Sequence, residues 1–186
     1  MAHAVALTSD QMIEELRVDV LWMLTQLAAV DDQYEFRAIQ NMSRADLAYS
    51  SIVLHGAVRD IIVRLTAFDD EGRGNRSFQR VQALLNSENK LRDQLRAKAV
   101  SAAVTRYRKA LGPLKNSLRN KVIAHVAERS DVTPGLGVPS EVRAAAAACV
   151  ATLDAIAGKR VEYEFRVGSQ ELPTNLRTAI GVEGKS

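Results

Sequence analysis

Apolar residues recur at spacings of three and four residues along most of the chain, which is the pattern of amphipathic helices. Thr8, with Gln11 three positions later, fits a capping box, so a first helix should begin near Thr8 or Ser9 and run toward Gln40. One apolar stripe supports this helix and consists of Ile13, Leu16, Val20, Met23, Leu24 and Leu27.

A second helix has a start of the same kind. The Ser43 hydroxyl can cap the amide of Asp46, and the negative charge of Asp46 suits the first turn of a helix. The helix should end near Asp69, before the glycine at Gly72. Its apolar stripe consists of Leu47, Leu54, Val58, Ile61, Leu65 and Phe68.

The middle of the chain predicts a short helix followed by a longer one. The short helix should run from Ser77 to Leu85. Ser87 should open the long helix, whose apolar positions are Leu91, Leu95, Val100, Val104 and Leu111. Gly112-Pro113 should then kink or break it, although Pro113 suits the first position of a new helix equally well.

Two more helices complete the predicted bundle. One carries Leu114, Leu118, Val122 and Val126 and ends near Arg129. The stretch 131–139 holds two glycines and two prolines and should therefore be a loop. A last helix should start at Ser140 and stop at Gly158.

The C-terminal tail has a different period. Val161, Tyr163, Phe165 and Val167 alternate with charged residues, which indicates a strand. A lone strand leaves its backbone groups unpaired. We find no confident second strand, and the tail from Gly168 reads as irregular, so the strand should pair with backbone from elsewhere, for example from a partner subunit.

The predicted fold is therefore all-α: an up-and-down bundle of four to five main helices with a short extended C-terminal arm. Residues 1–158 should form the helical domain and residues 159–186 the arm. Cys149 is the single cysteine, which excludes an internal disulfide and argues against a cysteine-based zinc site. We expect Cys149 and the single tryptophan, Trp22, to be buried in the core.

The chain shows no sign of membrane insertion. No apolar run approaches the roughly 18 residues that a span requires. The N-terminus lacks the basic start and the long apolar stretch of a signal peptide. We therefore expect a cytoplasmic protein without a membrane partner.

Basic charge is concentrated in one part of the chain. The chain carries a net charge of +3, but residues 88–129 contain eleven Lys and Arg against three Asp and Glu, which is +8. The remainder is then −5. A basic stretch of helix is suited to contact with phosphates. A solvated helix face explains it as well, and composition does not decide between the two.

One helix in this basic stretch carries residues suited to acid–base chemistry. At 100° per residue, Arg119 and His125 lie about 60° to either side of the apolar face centred on Val122. They are six positions apart, which is about 9 Å along the axis. One copy therefore does not bring them to a single small group, but two copies around a twofold axis could gather two Arg and two His in one cleft.

These side chains suit metal-free cleavage of RNA, in which the ribose 2′-hydroxyl attacks its own phosphate. Histidine titrates near neutral pH and can serve as base or acid. Arginine forms forked hydrogen bonds to phosphate and stabilises the developing negative charge, and Asn120 offers both a donor and an acceptor beside it. The alternative is that His125 is a core histidine with a structural hydrogen bond.

The stretch Leu118-Arg-Asn-Lys-Val-Ile-Ala-His-Val126 resembles the signature of the HEPN superfamily. In that signature an arginine is followed by a polar residue and then by a histidine, with four to six residues between the arginine and the histidine. Here five residues lie between Arg119 and His125. The Ala124-His125 ending is usual in the abortive-infection branch. A long helix of that branch ends in an Arg-Leu-x-x-Phe-Asp phrase, to which Arg64-Leu-Thr-Ala-Phe-Asp69 is similar. The resemblance spans roughly residues 47–158.

The resemblance implies an all-helical bundle that forms a homodimer. Many members are toxins or phage-defence ribonucleases that cut RNA without metal, and others have lost activity and serve as binding or scaffolding domains. For this chain it implies catalytic roles for Arg119, Asn120 and His125, with RNA as substrate, an antitoxin protein as a partner, and no cofactor or metal. The tail from Lys159 matches nothing in the family, which leaves a catalytically inactive interaction or nucleotide/RNA-binding module as the alternative.

Overall fold

Five main helices and a small C-terminal hairpin form the part of the chain that the computed structural model describes, which is residues 7–33, 41–72, 76–116, 138–167, 170–179 and 181. The predicted all-α bundle is confirmed. The elements are α1 (Ser9–Gln33), α2 (Arg44–Ala67), α3 (Phe78–Ser87), α4 (Gln94–Ala110), α5 (Ser140–Ala157), β1 (Glu164–Val167), β2 (Gln170–Asn175) and α6 (Leu176–Ala179). Within these ranges, no helix is long and apolar enough to cross a membrane.

Local capping groups fix several helix ends where the sequence predicts them. The Thr8 amide donates to Gln11 Oε1 at 2.9 Å and the Gln11 amide donates to Thr8 Oγ1 at 3.3 Å, which confirms the capping box of α1. Ser43 Oγ accepts from the Asp46 amide at the start of α2. Gly158 ends α5 in the left-handed conformation, with φ 69°, which glycine adopts without steric cost.

Helix α1 lies at the centre of the core. Its buried stripe consists of Met12, Leu16, Val20, Met23, Leu24, Leu27 and Val30. It packs against α2, α3 and α5 and also contacts the C-terminal elements. Gln26 Nε2 donates to Asp60 Oδ2 at 2.8 Å and Asp19 lies 3.5 Å from Arg64, so α1 and α2 run antiparallel.

The other main helix pair is α4 with α5. Thr152 Oγ1 donates to the Ala103 carbonyl and an Arg96 guanidinium nitrogen donates to the Ile156 carbonyl, so these two helices are antiparallel as well. Cys149 of α5 is fully buried, as predicted, and burial raises the pKa of its thiol. Tyr107 of α4 is also buried, and its hydroxyl donates to the Leu65 carbonyl at 2.6 Å, which joins α4 to α2.

The predicted start of the long fourth helix at Ser87 is wrong. Ser87 is the last residue of α3, and Asp93 caps α4 by accepting from the Leu95 amide. Asn89 takes a left-handed φ of 58°, and the Lys90 amide donates to the Leu85 carbonyl at 2.8 Å. The left-handed residue and this hydrogen bond end α3 in the way that a glycine at the end of a helix usually does. The predicted kink or break near Gly112-Pro113 is confirmed, because α4 ends at Ala110 and helical turns resume at Gly112.

Three apolar residues expected in the core are exposed. Trp22 is 54% exposed, Leu47 is 43% exposed and Leu95 is 78% exposed. Leu95 lies in the first turn of α4, whereas burial in that helix begins at Val100. Spacing alone identified the helices but did not show which turns a neighbouring helix covers.

The tail pairs with itself. Strand β1 is antiparallel to β2, with Glu164 opposite Asn175 and Val167 opposite Gln170. The expectation of irregular chain after Gly168 is therefore wrong for β2, and β1 has its partner in the same chain. Tyr163 is fully buried and the short α6 contacts α1, so the tail contributes to the bundle core. A salt bridge between Arg177 and Asp154 ties α6 to α5.

The turn after α3 binds the N-terminus of α1 through hydrogen bonds and ion pairs. Glu88 accepts hydrogen bonds from the Ser9 amide at 2.8 Å and from the Ser9 hydroxyl at 2.5 Å. Lys90 Nζ lies 3.0 Å from Glu88 and 2.8 Å from Asp10. The bonds from Ser9 and then Lys90 lower the pKa of Glu88 from 4.5 to about 2. The carboxylate thus stabilises the fold above pH 4.5, and this contribution is lost as the pH falls toward 2.

We predict that Glu88→Gln lowers the free energy of unfolding at pH 7 but has no effect near pH 2. The reason is that the lost contribution belongs to the ionised carboxylate. Urea unfolding of both proteins between pH 2 and pH 7 measures the difference. Ser9→Ala should reduce the effect of Glu88→Gln, because it removes the donating hydroxyl. An effect of equal size at both ends of the pH range would contradict the assignment.

Candidate functional site

The residues predicted to be catalytic, Arg119, Asn120 and His125, lie in the stretch 117–137, outside the described residues. The structure does describe the chain that leads into this stretch. Residues 112–116 follow α4 in helical turns, and the Lys115 amide donates to the Leu111 carbonyl at 2.9 Å. Lys115 precedes Arg119 by four residues in the sequence.

A buried carboxylate holds Lys115. Asp69 follows the end of α2, and its side chain is only 2% exposed. Its Oδ2 lies 2.6 Å from Lys115 Nζ, and its Oδ1 lies 3.2 Å from Arg108 Nε in the last turn of α4. Gln79 Nε2 of α3 also donates to Oδ1. The carboxylate therefore joins α2, α3, α4 and the turn after α4, and we call Asp69, Gln79, Arg108 and Lys115 the Asp69 cluster.

The electrostatics of the Asp69 cluster explain why a carboxylate can be buried here. Burying an unpaired carboxylate is costly, whereas two cations and an amide donor satisfy both oxygens. Arg108 extends outward and also binds Glu71 on the surface. Hydrogen bonds to Glu71 and then to Asp69 raise the pKa of Arg108. Lys115 and Arg108 are partly exposed, at 35% and 51% of their side chains, and each is paired with a carboxylate.

An open cavity of about 380 Å³ adjoins the Asp69 cluster. Its lining residues come from the last turns of α2 and from the chain after α4, and they are Val63, Thr66, Ala67, Asp69, Asp70 and Lys115. The sequence offered two roles for Asp69 and Asp70: polar support for a catalytic cleft, or the turn that ends a helix. Asp69 does more than end α2, because it binds the lysine that precedes the predicted motif.

Helix α4 adds a basic surface. Lys98, Arg106 and Lys109 are exposed, and at 100° per residue they lie within about 80° of one another on its solvent side. They span about 16 Å along the axis. None of these three forms an ion pair with another described residue. We call these three residues the α4 basic stripe. The excess of basic residues in this part of the sequence indicated such a surface, but only the structure shows that the three side chains have no acidic partner among the described residues.

Sequence reasoning missed Lys115, Arg108 and Gln79. They lie 46, 39 and 10 residues from Asp69, so no local pattern connects them to it.

Groups of three or more His, Cys, Asp or Glu side chains arranged for a metal ion do not occur among the described residues. No family model, curated protein or solved structure matches the chain.

We predict that Asp69→Asn destabilises the protein by about 1–3 kcal/mol, because it removes a buried charge with two cationic partners that are themselves partly solvated. Urea unfolding at pH 7 measures the loss. Asp70→Asn is the matched control, because Asp70 is exposed and an asparagine keeps the oxygen that accepts from the Gly72 amide. Equal stability of Asp69→Asn and the wild type would contradict a structural role for the Asp69 cluster.

Proposed function

We propose that this chain is a metal-independent endoribonuclease of a toxin–antitoxin or phage-defence type system that acts in the cytoplasm as a homodimer. The observation that carries the proposal is the Arg119-Asn120…His125 motif, which resembles the HEPN signature and lies in the basic part of the chain. An antitoxin protein is the expected partner of such a toxin.

The described surroundings of the motif support an anionic polymer as substrate. Lys115 leads into the motif, but Asp69 neutralises its charge, so the attraction for phosphates rests on the α4 basic stripe. The α4 basic stripe lies on the helix that precedes this turn and has no acidic residue in its own sequence, Gln94–Ala110. Fixed cations without nearby acidic partners attract phosphates, and sequence-independent contacts with the backbone of a nucleic acid account for much of the affinity of such complexes.

The proposed reaction is an internal transesterification. His125 removes the proton from the ribose 2′-hydroxyl, and the 2′-oxygen forms a bond to the adjacent phosphorus. The bond from phosphorus to the 5′-oxygen of the next nucleotide breaks, and that oxygen receives a proton from a second acid, for which the His125 of the other copy is suited. Arg119 stabilises the charge on the pentacoordinate phosphate, and Asn120 supports it by hydrogen bonding.

The second candidate is a catalytically inactive HEPN-type module that binds RNA, a nucleotide or a partner protein. The α4 basic stripe favours this alternative as much as it favours catalysis, because binding requires only the cations. If the wild type binds RNA but does not cleave it, this second candidate is the better one.

We predict that His125→Ala and Arg119→Ala each lower the rate of RNA cleavage by about 10²–10⁴-fold, the usual loss for one acid–base group, while the helical content is retained. The rate is measured on end-labelled RNA with EDTA present, which should have little effect. His55→Ala and Arg17→Ala are the matched controls, because they remove the same side-chain types from α2 and α1.

Two results would contradict the catalytic proposal. One is cleavage by His125→Ala at the wild-type rate. The other is the absence of both RNA cleavage and toxicity in cells that express the folded wild type.

A further inference from the structure

A second cavity, of about 330 Å³, lies between α1 and α2. Val30 and Leu54 are buried in its lining, whereas Val53 is half-exposed, so the cavity opens to solvent on one side. Three polar but uncharged residues complete the lining, and Gln26 is one of them. Its aliphatic lining consists of Ala29, Val30, Val53, Leu54 and Ala57. We call it the α1–α2 cavity.

Small side chains at one level of the two helices create this space. The hydrogen bond from Gln26 to Asp60 sets the register of α1 against α2. Because the helices are antiparallel, three residues onward along α1 and three residues back along α2 place Ala29 level with Ala57. Side chains in a protein interior are close-packed, so two alanines at the same level leave a gap that larger residues would fill.

One end of the Gln26 amide is bound and the other is not. Its Nε2 donates to Asp60 Oδ2 at 2.8 Å, so the amide is held in one orientation. Its Oε1 is buried and accepts no hydrogen bond from any described residue. A buried acceptor without a donor is unfavourable, because water no longer solvates it. A molecule in the α1–α2 cavity that brings an N–H or O–H group to this oxygen would therefore gain a hydrogen bond that the described protein groups leave unmade.

We infer that the α1–α2 cavity binds a small, uncharged, mainly apolar molecule that carries one hydrogen-bond donor, which pairs with Gln26 Oε1. The volume suits such a ligand, because an apolar cavity of about 150 Å³ holds a benzene ring and ligand pockets begin at about 300 Å³. A bicyclic ring therefore fits. The lining holds no charged residue, so a charged ligand would lose its hydration without compensation.

This site is separate from the chemistry proposed above. Ala57 lies about 15 Å along α2 from Ala67, the last residue of that helix, which lines the cavity at the Asp69 cluster. Gln26 is the lining residue that gives the site its specificity, and the aliphatic side chains supply the affinity through the burial of apolar surface.

The first test is a titration with indole, a neutral bicyclic ring with one N–H donor. Indole should bind the wild type saturably and shift the backbone amide NMR signals of Ala29, Val53 and Ala57. Ala57→Leu should abolish this binding, because the larger side chain fills the cavity. Ala102→Leu is the matched control, since Ala102 is exposed on α4, and it should bind indole like the wild type. Absence of saturable binding to the wild type, or equal binding by folded Ala57→Leu, would overturn the inference.

The second test isolates the donor and does not depend on a variant that fills the cavity. N-methylindole keeps the ring but has no N–H, so the wild type should bind it about tenfold more weakly than indole. Gln26→Met should remove this difference, because methionine has a similar length and no carbonyl oxygen. An indole carboxylate should bind more weakly than either probe, since the lining offers no cation. Equal affinity of the wild type for indole and N-methylindole would overturn the inference. Neither test involves RNA, so their failure is distinct from a failure of RNA cleavage.

Discussion

The burial of the Asp69 carboxylate is the constraint on which the rest of this structure depends. A buried anion requires donors, and here the donors come from α3, α4 and the turn after α4. The neighbouring Leu65 carbonyl accepts from Tyr107 of α4, and the ring of Tyr107 meets that of Phe78 edge to face at 5.0 Å. Polar and aromatic contacts therefore fix the same junction, where α2 ends and where the chain turns into the predicted catalytic stretch.

This junction relates the fold to the proposed chemistry. A catalytic arginine and histidine are effective only when the backbone that carries them is held in place. Lys115 is bound to the interior of the bundle through Asp69, while the α4 basic stripe remains free to meet phosphates. Asp69 thus holds Lys115, four residues before Arg119 in the sequence, and a neutral residue at position 69 would leave Lys115 without this ion pair.

Much of the fold could be predicted from the sequence because its determinants are local. Thr8 and Gln11, or Ser43 and Asp46, cap helices within three residues, and an apolar period of three to four identifies the helix behind each cap. The left-handed Asn89 that separates α3 from α4 was missed, because asparagine adopts that conformation less regularly than glycine. Strand β2 was missed because Pro173 interrupts any clear alternation.

The candidate site was only partly predictable. The motif was identified from residue types and spacing, whereas the bond between Lys115 and Asp69 spans 46 residues and no periodicity reveals it. Helix α2 shows the same limit, since spacing did not reveal that its Tyr49 and Ile52 are 71% and 72% exposed.

The measurement that tests the central claim most directly is analysis of the RNA ends left by the purified protein. Attack by the ribose 2′-oxygen leaves a 2′,3′-cyclic phosphate and a 5′-hydroxyl, and it requires the 2′-hydroxyl, so DNA should remain intact. RNA cut in the presence of EDTA should carry these ends. Products with a 5′-phosphate, or cleavage of DNA at a comparable rate, would show that water or another nucleophile attacks the phosphate and would contradict the proposed function.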